Sequence, residues 1–438
     1  MTGVVHQKAA PVTRRGMFWS IGFQRYVYPR NCRRERQDWN MKFAYFVHPH
    51  IGGTYTVFKQ LREGLAGFGI EVCWLAMGES EALKQPQWFP EFALGNSVDI
   101  DGMTTERDQA RALAQAIAAG GFDGVFINVL SDRVQTNIAR YLPDEVMRIM
   151  IVHNITAGTY AAALSVRDHV HAAVGVSDRI RDDLIQAMGF PAERTFSIPH
   201  AAETRYSRTI ERKARTTEPL RAIFLGRVED ASKGVFWLPE ILDKLDPSIH
   251  LTVAGDGPDL KALKLKLARH SGRVTFLGAV HPSEVQKLLF EHDVMVMPSR
   301  FEGFGLTLTE AMAAGCIPVV SRIRGVTSMI VEDGVDGYLF AIGNTAEAAR
   351  MITAVATDPE TARSLSLAAR QKAEQVFTLD SMARRYFDVI QQVSERRFEI
   401  APPLDIEEWS LPKGLRPALR TFIPKPIKNW LRVMRERI

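Results

Sequence analysis

The chain has 438 residues, 46% of them hydrophobic and 24% charged, with a formal net charge of +5. That balance excludes a disordered or fibrous chain, the lack of a long apolar run excludes a helical membrane span, and the length accommodates two globular domains. Three scattered cysteines, Cys32, Cys73 and Cys316, have neither metal-ligand spacing nor a disulfide framework, which fits a reducing compartment, and the cationic excess suggests an anionic partner.

Residues 1–40 are rich in Arg and lack periodicity, so they are expected to form an N-terminal extension outside the core fold. Arg14 and Arg15 are not followed by a continuous apolar segment, so no secretory leader is expected. Phe18, Trp19 and Tyr26 leave an ordered arm as the alternative. At Met41 the character changes. MKFAYFVHP reads as a first buried strand, and it runs into a glycine loop over 50–54 that contains Gly52 and Gly53.

From there strand-like runs alternate with helical patterns. Strands are expected at 42–47, 71–76, 124–128, 148–153, 172–176 and 195–198, with amphipathic segments such as 56–67 and 107–118 between them. A polar, unpatterned linker follows at about 203–219. The alternation then resumes at 220–225, 249–254, 274–277, 294–298 and 318–321. Such alternation specifies parallel sheets with helices on both faces, here α/β architecture in two doubly wound, Rossmann-like halves facing a cleft. Ligands of open α/β sheets bind at the carboxyl ends of the strands.

The most informative string is FEGFGLTLTEAMAAGCIPVV, residues 301–320. Glu302 is followed by Gly303, Phe304 and Gly305, then by Leu306 and a helical pattern that carries Glu310, eight positions after Glu302. A glycine loop entering a helix lets a ligand approach the backbone, and the helix N-terminus offers N–H groups to an anion. Two carboxylates nearby suit sugar hydroxyls. Phosphate and polyol recognition side by side describe a sugar nucleotide.

This pattern resembles the signature of the retaining GT-B glycosyltransferases of family four, the glycosyl transferases group 1. The resemblance covers roughly residues 42–393 and is stronger in the second half. It implies that Glu302 contacts the donor sugar and that Glu310 holds the ribose hydroxyls. In LGRVEDASKGV (225–235), Arg227 and Lys233 match an Arg and a Lys that reach the donor diphosphate. Fixed cations there stabilise charge on a departing diphosphate. Gly255, in the Gly-Asp-Gly turn after the strand at 249–254, falls beside the nucleoside, and Val280 falls in the loop that meets the base. Gly52 and Gly53 form the loop that approaches the donor phosphates and the acceptor. His153 matches a histidine near the donor sugar and is assigned a catalytic place with Glu302. His200-Ala201-Ala202-Glu203 departs from the Asn-Gly-Val-Asp common in the family.

The resemblance divides the chain into an acceptor domain at 41–214, a donor domain at 215–378 and a helix at 379–395 that crosses back to the first domain. Residues 396–438 are left as a basic tail. There Ile427, Leu431 and Met434 fall at helical spacing beside Trp430 among many cations, which reads as an interfacial helix for an anionic membrane surface or as a helix packed on the protein. The expectation is a metal-independent retaining glycosyltransferase. It needs no cofactor beyond its nucleotide-sugar substrate and acts on a glycan or lipid-linked acceptor. It is expected in the cytoplasm, at the cytoplasmic face of the inner membrane if the tail engages lipid, with no nucleic-acid partner. A sugar-nucleotide epimerase and a non-catalytic sugar-nucleotide-binding subunit are the alternatives.

Overall fold

The computed structural model describes residues 40–50, 52–78, 89–129, 132–202, 219–396, 398–416, 427 and 433–434. Residues 1–39 of the N-terminal extension, the linker core at 203–218 and most of the tail beyond residue 416 lie outside the described residues.

Thirteen strands among the described residues make two sheets. The first contains β1 (Met41–Phe46), β2 (Ile70–Met77), β3 (Gly95–Val98), β4 (Gly124–Asn128), β5 (Met147–Val152), β6 (Ala172–Gly175) and β7 (Thr195–Ser197), in the order β3-β2-β1-β4-β5-β6-β7. The second contains β8 (Arg221–Leu225), β9 (His250–Ala254), β10 (Val274–Gly278), β11 (Val294–Met297), β12 (Ile317–Ser321) and β13 (Tyr338–Phe340), in the order β10-β9-β8-β11-β12-β13. Every neighbouring pair is parallel. Helices cover both faces, so central strands such as β4, β5 and β12 are buried along their whole length. This is the doubly wound pair expected from the alternation of patterns.

Two strands carry no clear sequence signal. β3 (GNSV) and β13 (YLF) are short sheet edges. An edge strand needs one partner and one covered face, so neither requires a long apolar run.

One apolar core fills the first half and continues through Phe304, Leu308 and Met312 of the second. Another, around Phe224, Val253, Leu263 and Ile352, lies within the second half. The halves are also joined by backbone bonds from Arg179 N to Gly325 O (3.0 Å) and from Ala202 N to Phe377 O (2.8 Å).

Helix Leu379–Arg396 buries Met382, Ala383, Tyr386, Val389, Ile390 and Val393, a single stripe at helical spacing. That stripe packs on the first half. A Cβ at Gly64 of helix Gly53–Ala66 would sit 2.6 Å from Ala383 Cβ, Phe387 stacks on Phe68 at 4.5 Å, and Tyr386 meets Phe126 edge-on at 5.9 Å.

The chain beyond it is not free. Trp409 lies 4.5 Å from the Tyr141 ring, Ser410 N donates to Tyr141 Oη (2.9 Å), Leu404 N donates to Arg140 O (2.8 Å) and Arg111 pairs with Glu407 (2.6 Å). Residues 398–416 are therefore a strap along the first half. Pro402, Pro403 and Pro412 disfavour a continuous helix, so backbone groups turn outward to partners on the first half. Of the expected apolar stripe in the tail, the described Ile427 and Met434 are exposed, while Val433 is buried against Ile323, Val326 and Ile342. No helix among the described residues is long and apolar enough to cross a membrane.

Candidate active site

In each sheet the strand order reverses beside the first strand of its half, between β1 and β4 and between β8 and β11. The crevice outside such a reversal is where open α/β sheets bind ligands. The expected glycine loops and cations fall on the segments that leave these strands.

After β8 the chain passes Gly226 and Arg227 and makes one helical turn, Asp230–Lys233, capped by Gly234 in the left-handed region (φ 60°). A Cβ on Gly234 would overlap the carbonyl oxygen of Pro298, so glycine lets this loop press on the loop after β11. Arg300 fastens the two together. Its backbone N donates to Ser232 O (2.8 Å), its Nε to Asp230 O (2.8 Å) and its Nη2 to Asp230 Oδ2 (2.8 Å), and its guanidinium lies 3.8 Å from the Trp237 ring.

The clamp delivers Lys233 to Glu302. Lys233 Nζ donates to Glu302 Oε1 at 2.6 Å, and Ser299 Oγ donates to the same oxygen at 2.7 Å. Glu302 is buried, so these two donors stabilise a carboxylate that burial alone would disfavour. Arg227 behaves differently. Its side chain is 67% exposed, and the ion pair it makes, with Glu229, spans 3.9 Å.

Gly303 brings the second half against the first, since a Cβ there would overlap the backbone oxygen of His153. Phe304 is buried edge-on to the His200 ring at 5.2 Å. Gly305 takes φ 107° and caps helix Leu306–Ala313. Leu306 approaches the first half, and a Cβ on Gly53 would meet its Cδ1 at 3.2 Å. Glu310 lies on the same helix, partly buried. Gly255 is pressed on the Gly226 carbonyl, where a Cβ would overlap, and its N donates to Gly278 O at 2.6 Å. Val280 is half-buried just beyond β10.

On the first half, Gly52 precedes helix Gly53–Ala66, and a Cβ there would come within 2.7 Å of the His50 ring. His153 follows β5 and shares a 2.8 Å hydrogen bond through Nε2 with Asn128 Oδ1, at the end of β4. Its ring stacks on His200 at 5.6 Å, with 27° between the planes. Burial pushes His153 down to about 4, and burial together with the adjacent His153 pushes His200 well below the usual histidine range.

The structure thus joins Lys233, Glu302, the 303–305 loop, His153 and Gly53 around one crevice. Arg227, Gly255, Val280 and Glu310 sit on adjoining loops or helix without touching that group through any contact described above. Sequence reasoning passed over Asn128, Ser299, Arg300 and His50. Two of them had a legible signal: Asn128, like His153, closes an apolar strand with a polar residue, and Arg300 lies two residues before Glu302.

Two Rossmann-like halves with a glycine-lined crevice between them define the GT-B fold. Residues 207–372 match the family description "Glycosyl transferases group 1". That match lies largely in the second half of the chain. It is 32% identical over 201 residues to glycogen synthase of Mycobacterium tuberculosis, across 45% of this chain and 48% of the relative. It is 33% identical over 154 residues to the sulfoquinovosyl transferase SQD2 of Arabidopsis thaliana, across 35% of this chain and 29% of that protein. The matched stretch thus spans about half or less of the length of these curated relatives. Among solved structures, Anabaena Alr3699/HepE in complex with UDP and glucose superposes with a TM-score of 0.67 at 17% identity, over 80% of this chain and 100% of that one, a likeness of fold.

Proposed function

We propose that the protein is a retaining glycosyltransferase that moves a sugar from a nucleoside-diphosphate donor to a glycan or lipid-linked acceptor, in the synthesis of cell-surface polysaccharide or glycolipid. The observation that carries this reading is the Lys233–Glu302 pair beside the 303–305 loop, where a cation, a carboxylate and a helix N-terminus lie together. The family match over residues 207–372 and the UDP and glucose held by the Anabaena neighbour support the donor class.

The donor diphosphate sits at the N-terminus of helix Leu306–Ala313, where backbone N–H groups and the helix dipole favour an anion. Lys233, paired with Glu302, turns to the phosphates, and Arg227, already exposed, supplies a second cation. The Glu302 carboxylate released by that exchange accepts from sugar hydroxyls, Glu310 accepts from the ribose, and Gly255 and Val280 flank the nucleoside. As the glycosidic bond to phosphate breaks, charge grows on the leaving diphosphate, and the cations stabilise the transition state more than the ground state. Gly52, Gly53 and His153 form the opposite wall, with the two glycines facing the donor phosphates and the acceptor and His153 beside the donor sugar. Protein cations and a helix end carry the leaving group, so transfer proceeds without a divalent ion. The exposed Ile427 and Met434, among the tail's cations, favour a peripheral position on an anionic cytoplasmic membrane face.

The test is a screen of the purified full chain against common nucleotide sugars, reading release of nucleoside diphosphate and product anomeric configuration with and without a chelator. Transfer with retained configuration that survives chelation is expected. Inverted product, or activity that needs magnesium or manganese, would overturn the mechanism. Interconversion of the donor without transfer would favour an epimerase.

A further inference from the structure

The end of β4 carries a buried amide that no part of the proposed reaction uses. Asn128 is 1% exposed. Its Nδ2 donates to Phe46 O, at the end of β1, at 2.8 Å. A carbonyl oxygen accepts and cannot donate, so this bond fixes which end of the amide is nitrogen. Oδ1 therefore faces His153 and is an acceptor. The 2.8 Å contact to His153 Nε2 then requires the proton to sit on Nε2.

A neutral imidazole with its proton on Nε2 has a bare Nδ1. Burial favours that neutral form, and the His200 ring stacked at 5.6 Å restricts rotation that would exchange the two nitrogens. His200 is itself wedged edge-on against Phe304 of the glycine loop. The backbone of His153 is in turn covered by Gly303. Orientation of this ring is thus set by one strand end on its own half and by the loop of the other half.

We propose that Asn128 is a positioning residue that locks His153 as the Nε2–H tautomer, so that the ring presents a hydrogen-bond acceptor to the cleft. A bare ring nitrogen recognises a hydroxyl or amine donor on the bound sugar and gives nothing to a carboxylate. His200 supports the lock from the side, in a position where the family commonly has Asn. The functional consequence rests on the glycosyltransferase reading; the tautomer does not.

The direct measurement is 15N NMR of the full chain labelled in histidine, with the His153 signals assigned by their loss in His153→Gln. The expected result at neutral pH is one protonated nitrogen, Nε2, and one unprotonated nitrogen, Nδ1. A proton on Nδ1, or a charged ring, would overturn the proposal without any further variant. Asn128→Ala should release the lock and give a mixture of tautomers. Asn128→Asp keeps an acceptor opposite Nε2 and should keep the tautomer while raising the pH at which His153 titrates. An unchanged tautomer in a folded Asn128→Ala protein would also overturn it. With a donor found by the screen, Asn128→Ala should lower turnover roughly tenfold, about one net hydrogen bond, and leave binding of UDP unchanged. A chain that turns over no nucleotide sugar would sink the transferase reading while the ring nitrogens still read as stated.

Discussion

The two walls of the cleft are built on different principles. The wall from the second half is charged and clamped: Lys233, Glu302, Ser299, Arg300 and Asp230 are tied by hydrogen bonds between the loops after β8 and β11. The wall from the first half is nearly uncharged: glycines at 52 and 53, and neutral, stacked imidazoles at 153 and 200. A group that must meet a diphosphate needs fixed charge, and fixed charge needs a rigid frame of partners. A group that meets sugar hydroxyls needs direction more than charge, and a buried imidazole has that. The lesson is that the charged wall is recognisable by residue type, the other only by orientation.

This contrast can be broken most sharply at Lys233. Lys233→Ala removes a cation from the leaving group, and loss of one such contact costs about 2–4 kcal/mol, roughly a hundredfold or more in turnover. It also leaves Glu302 buried with one donor fewer, which would lower stability for reasons unrelated to catalysis. The double variant Lys233→Ala/Glu302→Gln separates the two. It should recover thermal stability relative to Lys233→Ala but not transfer. Steady-state kinetics beside a melting curve decides it; recovery of transfer in the double variant would make the pair a structural bridge.

A smaller effect is expected at Glu310. Glu310→Gln should weaken binding of the donor's bare nucleoside diphosphate by about 0.5–1.5 kcal/mol, the net worth of one hydrogen bond. Glu302→Gln should leave that binding nearly intact while lowering transfer. Titration calorimetry giving the reverse order would exchange the roles of sugar and ribose between the two carboxylates.

The mildest test bears on the uncharged wall and starts from the unsubstituted chain. Burial lowers His48, His153, His169, His171 and His200 in the folded protein. Between the ordinary histidine value of 6.5 and about 4, the unfolded chain therefore binds more protons than the folded one. Stability contributed by these neutral rings is fully present above the unfolded value and falls as pH drops through that window. The melting temperature should fall as pH is lowered from neutral towards about 4, and His200→Phe should flatten part of the slope. A melting temperature that is constant or rises over that range would show that the imidazoles are not held neutral.

What the sequence determined by itself is the architecture and the residues of the charged wall. Apolar strands buried on both faces leave runs such as MKFAYF and GVFIN that need no context to be read, and the charged loop residues sit at short, fixed separations: Arg227 to Lys233, Glu302 to Glu310. Local order along the chain places them at strand ends and at a helix N-terminus, so their chemistry is legible from spacing. The edge strands β3 and β13, the strap at 398–416, the Arg300 clamp and the ring triad of His153, His200 and Phe304 were decided only by the tertiary structure. Each depends on contacts between segments far apart in the chain. Asn128 and His153 are 25 positions apart and meet because β4 and β5 are neighbours. Tyr141 and Ser410 are 269 apart and meet because the chain returns to the first half after helix Leu379–Arg396. Spacing records what a helix turn or a loop brings together; which strand ends face each other, and which tautomer a buried ring must hold there, is fixed by packing that no local pattern encodes.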